Sequence, residues 1–457
     1  MVRSLITSLF LCGISLINWM HLALAQNMVA LTDEVKPNVA ALRGLSFLQD
    51  VEKAVQSPAE LQQFLLKDLE RTYPGETLHI LEKRLLKFGF MVSPLDLHQM
   101  MTQMFSQQVA GYYDPRAKKM VLINATTGSG GQRQFAPVEL LARMLAAQMG
   151  VSLGKMILAH ELTHVVQDQH FNLLALPFEA LDPEDTTSAV RALLEGDAML
   201  VMIDYVLAQQ RTDSVNVPGI ENAMREWVHS PLVRGLNLVQ FIPRYFTDNL
   251  LFSYIDGYNF VLQLKRQSGW EEVNQAYQDF PVSTEQILHP EKYFKNRDLP
   301  TTIKLPNMPR PFPEWQLLEQ NTLGEFNISI LIDGYLPTEP ARLASAGWGG
   351  DRFALYENPE TGQQLLAWYI TWDTEQDARE FFQVYTAVIS KRYKAVAPEN
   401  LLDPTLQENR VWKINSTDDI YLEIRGTDVL LLDGVPDYYL EYYIPLFWSS
   451  QKVGSRK

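Results

Sequence analysis

The 457-residue chain has a single cysteine, Cys12, and only eight histidines, none of them after His289. With one thiol no intrachain disulfide can form, so a core must hold the fold, not a set of disulfide staples. Basic residues are also scarce. Lys and Arg total 39 against 54 Asp and Glu, a net charge of −15, and no basic stretch is present to neutralise phosphates. Nucleic acid is therefore not an expected partner. Beyond the N-terminus there is no charge-free apolar run of about 18 residues, so no membrane span is expected once the leader is gone.

What the N-terminus does carry is a leader. Met1-Val2-Arg3 precedes an apolar run from Leu5 to about Ile17, and Ala23-Leu24-Ala25 forms a small-x-small cleavage signature before Gln26. This is read as a signal peptide, with Cys12 removed along with it. The other reading, a retained membrane anchor, is disfavoured because the run is short and broken by Asn18 and His21. The product is expected to be exported, periplasmic or extracellular, and free of cysteine. The remaining chain of about 430 residues suggests two or three domains, and 46% hydrophobic with 20% charged residues is ordinary globular composition.

Because histidines are few, their clustering is informative. His160-Glu161-Leu162-Thr163-His164 lies between Met156-Ile157-Leu158-Ala159 and Val165-Val166, an apolar helical stretch that is polar only at the motif. Four residues apart on a helix, His160 and His164 share a face and can bind one metal ion, normally Zn2+. Glu161 is placed to take a proton from water at that metal and pass it to a leaving amine. Histidines and a glutamate in such a stretch are costly without a partner.

A zinc site needs a third protein ligand. His170 follows His164 by six residues, the spacing of the third histidine in metzincins, but Gln167 stands where that pattern needs a glycine to leave the helix. The better candidate is Glu195, flanked by Leu193, Leu194, Ala198 and Met199 on an apolar helix. Gly196 beside it costs about 1 kcal/mol in a helix, which is understandable if a second helix approaches closely there. The competing reading pairs Glu195 with Arg191 at i,i+4 spacing. Asp168 and Asp197 are available to orient the ligating imidazoles. His79, His98 and His229 stand alone and read as structural.

Apolar periodicity predicts helices at Leu61 to Leu69 and His79 to Phe90, and a hairpin across Val109 to Ile123. A Gly/Ser-rich loop is expected at Thr126 to Gln132, with helices at Val138 to Met149, Gly154 to His170 and Ser188 to Gln209. An acidic loop is expected around Asp182 to Asp185. After a Pro-rich stretch at Pro300 to Pro313, strands are expected at Phe353 to Tyr356, Gln364 to Trp372, Val411 to Ile414, Ile420 to Arg425 and Asp428 to Leu432, with a helix from Thr374 to Tyr393. The division is a signal peptide (1–25), an N-terminal helical region (26–108), a metal-motif domain (109–299), a Pro-rich linker (300–315) and a C-terminal α+β domain (316–457). The fold class is α+β.

The motifs resemble those of gluzincins, zinc peptidases with an HExxH helix and a downstream glutamate ligand. HELTH followed by Asp168 is similar to the thermolysin-like motif, and Leu194-Glu195-Gly196-x-Ala198 to the Glu-Gly-x-Ala helix of other gluzincins. Together, HELTHVVQDQHF, LLEGDA and STEQILHPEKY look like a family of exported bacterial zincin-like proteins, over roughly residues 100–295. The longer stretch between His164 and Glu195 departs from the thermolysin pattern. The resemblance implies a zincin-like domain with Zn2+ on His160, His164 and Glu195, Glu161 as general base, and a peptide or protein substrate. It also implies that Gly111-Tyr112-Tyr113-Asp114-Pro115 with the strand after it is the edge strand that takes up substrate, and that a His or Tyr, here His289 or Tyr293, stabilises the oxyanion. Two alternatives stay open, a non-catalytic zincin-fold binding module of the cell envelope and a zinc amidase acting on a non-protein substrate.

Overall fold

The computed structural model describes residues 24–108, 111–123, 147, 150–228, 242–308, 315–394, 408–414 and 419–453. All of the leader but Leu24 and Ala25, the loop at Thr126 to Gln132, nearly all of the helix expected at Val138 to Met149, His229, and Pro309 to Pro313 lie outside these residues. The chain gathers into two compact units. One contains the chain up to Gly75 with Asp96–Glu179 and Ala189–Pro281; the other contains Glu76–Leu95, Ala180–Ser188 and Val282–Lys457. The α+β class expected from the sequence is what forms.

In the first unit the motif helix runs Leu153–Phe171 and ends at Asn172, whose left-handed backbone turns its amide onto the Asp168 carbonyl. Its apolar face (Leu158, Ala159, Leu162, Val165) packs on Val35 and Val39 of the helix Leu24–Arg43 and on Val201 and Tyr205. Beside it lies a small sheet of β1 (Glu52–Gln56), β2 (Gly111–Asp114) and β3 (Lys119–Ile123), in the order β1-β3-β2. The β2–β3 hairpin is antiparallel as its aromatic and β-branched content predicts, pairing Tyr113 with Met120. The parallel β1 falls inside a region expected to be helical. Its residues Glu-Lys-Ala-Val-Gln carry no clear two-residue alternation, and pairing with β3 decides their conformation.

The second unit is built on a six-stranded antiparallel sheet, with β4 (Thr302–Lys304) to one side. The strands β5 (Gln316–Asn321), β6 (Trp348–Glu357), β7 (Gln364–Trp372), β8 (Glu408–Lys413), β9 (Asp419–Arg425) and β10 (Asp428–Val435) take the order β5-β6-β7-β10-β9-β8. Alternate residues feed two cores. Phe353, Trp368 and Ile370 face the helices Gly324–Asp333, Thr338–Ser345 and Glu375–Tyr393, while Ala354, Ala367 and Tyr369 share a core with Tyr443 and Phe447 of the helix Asp437–Trp448. With both faces covered, the strands read as nearly continuous apolar runs, which is why they were visible in the sequence.

Two expectations need correcting. The Pro-rich stretch is not wholly irregular, because β4 within it pairs with β11 (Gln451–Val453), the ladder being too short to leave a periodic signal. The acidic loop is shorter than expected, since Glu184 and Asp185 form the first turn of the helix Glu184–Leu207, where the helix dipole favours acids. Among the described residues no helix is long and apolar enough to cross a membrane.

Candidate metal centre

The motif helix presents His160 and His164 one turn apart, with their Nε2 atoms 3.2 Å from each other. The helix Glu184–Leu207 brings Glu195 against both. Its Oε2 lies 3.2 Å from His160 Nε2 and 3.6 Å from His164 Nε2. These are the three residues expected to hold the metal. For zinc bonds of about 2.0–2.2 Å, a tetrahedral centre puts neighbouring donor atoms about 3.3–3.6 Å apart. The observed edges of 3.2, 3.2 and 3.6 Å come close to that range. Glu195 Oε2 has no hydrogen-bond geometry with any neighbour, although His160 is within reach. The three donor atoms face one another closely, and the two Nε2 atoms are within hydrogen-bond distance of each other.

Charge supports the same fit. Glu161 and Glu195 set two carboxylates against two imidazoles, an excess of negative charge that a divalent cation offsets. Burial disfavours charge on His164, but Glu195 and Glu161 outweigh it and push the imidazole up to about 9. Burial raises Glu195 too, yet the two histidines outweigh it and hold the carboxyl well below its usual range. The cluster draws positive charge to its centre.

Glu161 is partly buried, and burial, with help from Glu195, pushes its carboxyl above the ordinary range against the opposing pull of the histidines. One oxygen is fixed, because the Tyr113 backbone N–H donates to Glu161 Oε2 at 3.0 Å. That amide belongs to β2, an outer strand of the small sheet.

The close approach expected at Gly196 is present. A Cβ there would meet the carbonyl carbon of Gly257 at 2.1 Å, so the helix Arg244–Ser268 lies directly against the ligand helix. One turn before Gly257, Tyr254 sits with its ring 5.9 Å from that of His160, and its hydroxyl feels the Glu195 carboxylate. Burial, reinforced by Glu195 and Glu161, keeps that hydroxyl protonated far above its ordinary value. Sequence reading missed Tyr254. The signal was there in the small-residue pair Gly196 and Gly257, with a tyrosine three residues before the second.

Other candidates stand elsewhere. Arg191 does not pair with Glu195; its Nε donates to the Phe178 carbonyl. His170 bonds the Ser46 carbonyl at 2.7 Å, at the helix end. Asp168 and Asp197 do not orient the ligands. Asp168 accepts from Tyr113 Oη, Lys118 and the Leu173 amide. Asp197 is buried against Arg43, 2.7 Å away, and accepts from Tyr277. His164 Nδ1 is taken instead by Gln167 at 2.8 Å.

His289 and Tyr293 belong to the second unit. There His289 Nε2 lies 2.9 Å from Glu325, and the Tyr293 ring is covered by the Arg297 guanidinium at 4.6 Å. That unit holds another cluster with ligand-type side chains, Glu285, Asp298 and Asp373. The Lys292 ammonium is bonded to all three, so its positive charge is already supplied.

Among known proteins, a family model for a domain of unknown function (DUF8575) matches residues 315–440. The chain is similar to a solved structure from Chloroflexus aurantiacus described as "a putative hydrolase with a novel fold", at 16% identity and a TM-score of 0.34, over 65% of this chain and 97% of that one. No curated protein matches.

Proposed function

We propose that this chain is an exported, zinc-dependent metallopeptidase of the gluzincin type. The observation that carries the reading is the donor triangle of His160, His164 and Glu195, of the right size and charge for a divalent cation, with Glu161 held next to it. When bound, zinc supplies a Lewis acid for the scissile carbonyl and lowers the pKa of water towards about 7.

The chain's own groups do the rest. Tyr113 N–H occupies one oxygen of Glu161 and leaves the carboxylate's remaining capacity to accept a proton from the attacking water. Burial raises the affinity of Glu161 for that proton, so the same carboxyl can deliver it to the departing amine. The Tyr254 hydroxyl stays protonated beside Glu195. In the reaction it turns to the oxygen on which charge develops, a role for which His289 and Tyr293 remain the other candidates. An extended peptide adds to β2, so that its backbone passes Glu161. The substrate is accordingly a peptide or an unstructured protein segment, met in the periplasm or outside the cell.

The test is metal content together with hydrolysis of an unstructured protein by wild type and by Glu161→Gln. Wild type should carry one zinc per chain, and Glu161→Gln should keep the metal and lose roughly 10²–10⁴-fold in rate. Equal rates would remove the catalytic reading.

A further inference from the structure

Gln167 is fully buried, three residues after His164 and directly after the buried pair Val165 and Val166. Both ends of its carboxamide are engaged. Its Nε2 donates to the Leu194 carbonyl at 3.0 Å, and its Oε1 lies 2.8 Å from His164 Nδ1. The first contact fixes the second. A backbone carbonyl only accepts, so the amide end facing Leu194 must be the NH2 group and the end facing His164 must be the oxygen. An amide oxygen also only accepts, so His164 Nδ1 carries the hydrogen. In the neutral ring, the form that binds a metal, the lone pair then sits on Nε2, the atom that faces His160 and Glu195. Leu194 immediately precedes Glu195. The same carboxamide therefore ties the backbone of the second ligand helix to the imidazole of the first.

We propose that Gln167 is a positioning residue that sets the tautomer and ring orientation of His164 for metal binding. The inference rests on the metal-centre reading above. It also accounts for an asymmetry, because His160 Nδ1 has no hydrogen-bond partner and depends on packing alone. The acids that looked suited to this duty by spacing, Asp168 and Asp197, are committed elsewhere.

The experiment is a zinc competition titration against a chromophoric chelator, on the full chain, for wild type, Gln167→Leu and Gln167→Glu. Gln167→Leu removes the acceptor from Nδ1 and should weaken zinc binding 10–100-fold. Gln167→Glu keeps an acceptor on Nδ1 but sets a carboxylate against the Leu194 carbonyl. If the tautomer is what matters, its affinity stays within threefold of wild type. If Gln167 merely braced the two helices, Gln167→Glu would suffer at least as much as Gln167→Leu, and that result overturns the proposal. So does a Gln167→Leu variant that binds zinc within threefold of wild type. Should Gln167→Leu fail to fold, Gln167→Met takes its place with the same expectation. Wild type that binds no zinc is a separate outcome, which defeats the metal centre itself and this inference with it.

Discussion

Gly196 and Gly257 touch backbone to backbone: a Cβ on Gly196 would lie 2.1 Å from the Gly257 carbonyl carbon, and one on Gly257 would lie 2.1 Å from the Ala192 oxygen. Neither obstacle is a flexible side chain that can swing away. The contact sets Glu195, beside Gly196, next to Tyr254, one turn from Gly257.

Gly196→Ala should therefore force the two helices apart. Overpacking of this kind costs about 1–3 kcal/mol, and here it also separates Tyr254 from Glu195. A urea titration of the metal-free protein should show a lower midpoint, and zinc affinity should fall with it. A variant as stable as wild type would show that the helices can part without penalty.

Tyr254→Phe removes one hydroxyl and little volume. If that group stabilises charge in the transition state, kcat should drop roughly 10²–10³-fold with KM and zinc content nearly unchanged. An unaltered kcat would return the role to His289 or Tyr293, each of which can be tested in the same way.

Arg43 and Asp197 form an ion pair with neither side chain exposed, and Arg43 also reaches Asn274 and covers the Trp270 ring at 4.4 Å. Losing one partner of a buried pair strands the other, at a cost of about 3–5 kcal/mol. Arg43→Met should show that loss in chemical denaturation, and adding Asp197→Asn should cost less than the sum of the single changes. Additive effects would mean that the two charges are not coupled.

Asp185 accepts hydrogen bonds from the Thr284 amide and hydroxyl while fully buried. Burial, with Asp351 and Glu325 nearby, pushes its carboxyl from 3.8 up to about 8. The folded chain therefore holds a proton that the unfolded chain releases between those values. The associated stability is complete below the lower value and fades as pH climbs through the upper one, by at most about 1.4 kcal/mol per pH unit. Asp185→Asn keeps an acceptor for Thr284 and does not ionise, so its melting temperature should gain on wild type between pH 5 and pH 8. A constant difference across that range would rule out a protonated Asp185.

The triad proposed to hold the metal was legible because each member broke a rule of its surroundings: two histidines in an apolar helix, then a glutamate after two leucines with a glycine beside it. The strands from Phe353 onward were legible because both of their faces are buried. β1 and β5 were not, since one is a short polar segment and the other a polar outer strand whose conformation comes from its neighbour. The helix Gly324–Asp333 was hidden by its β-branched Asn-Ile-Ser-Ile-Leu-Ile sequence, which local preference alone does not assign. Tyr254 and Gln167 were missed for a different reason. Their contacts depend on which helices meet, and spacing along the chain does not report that. Asp168 looked apt by spacing, yet Gln167, a residue earlier, reaches His164 first.

The amide of Tyr113 that steers Glu161 belongs to the main chain, so every residue type except proline provides it. Replacing the Tyr113 side chain breaks its bond to Asp168 and its packing on the motif helix, yet leaves that donor in place. A substitution at position 113 therefore reaches Glu161 through the seating of the strand, and proline alone deletes the bond itself.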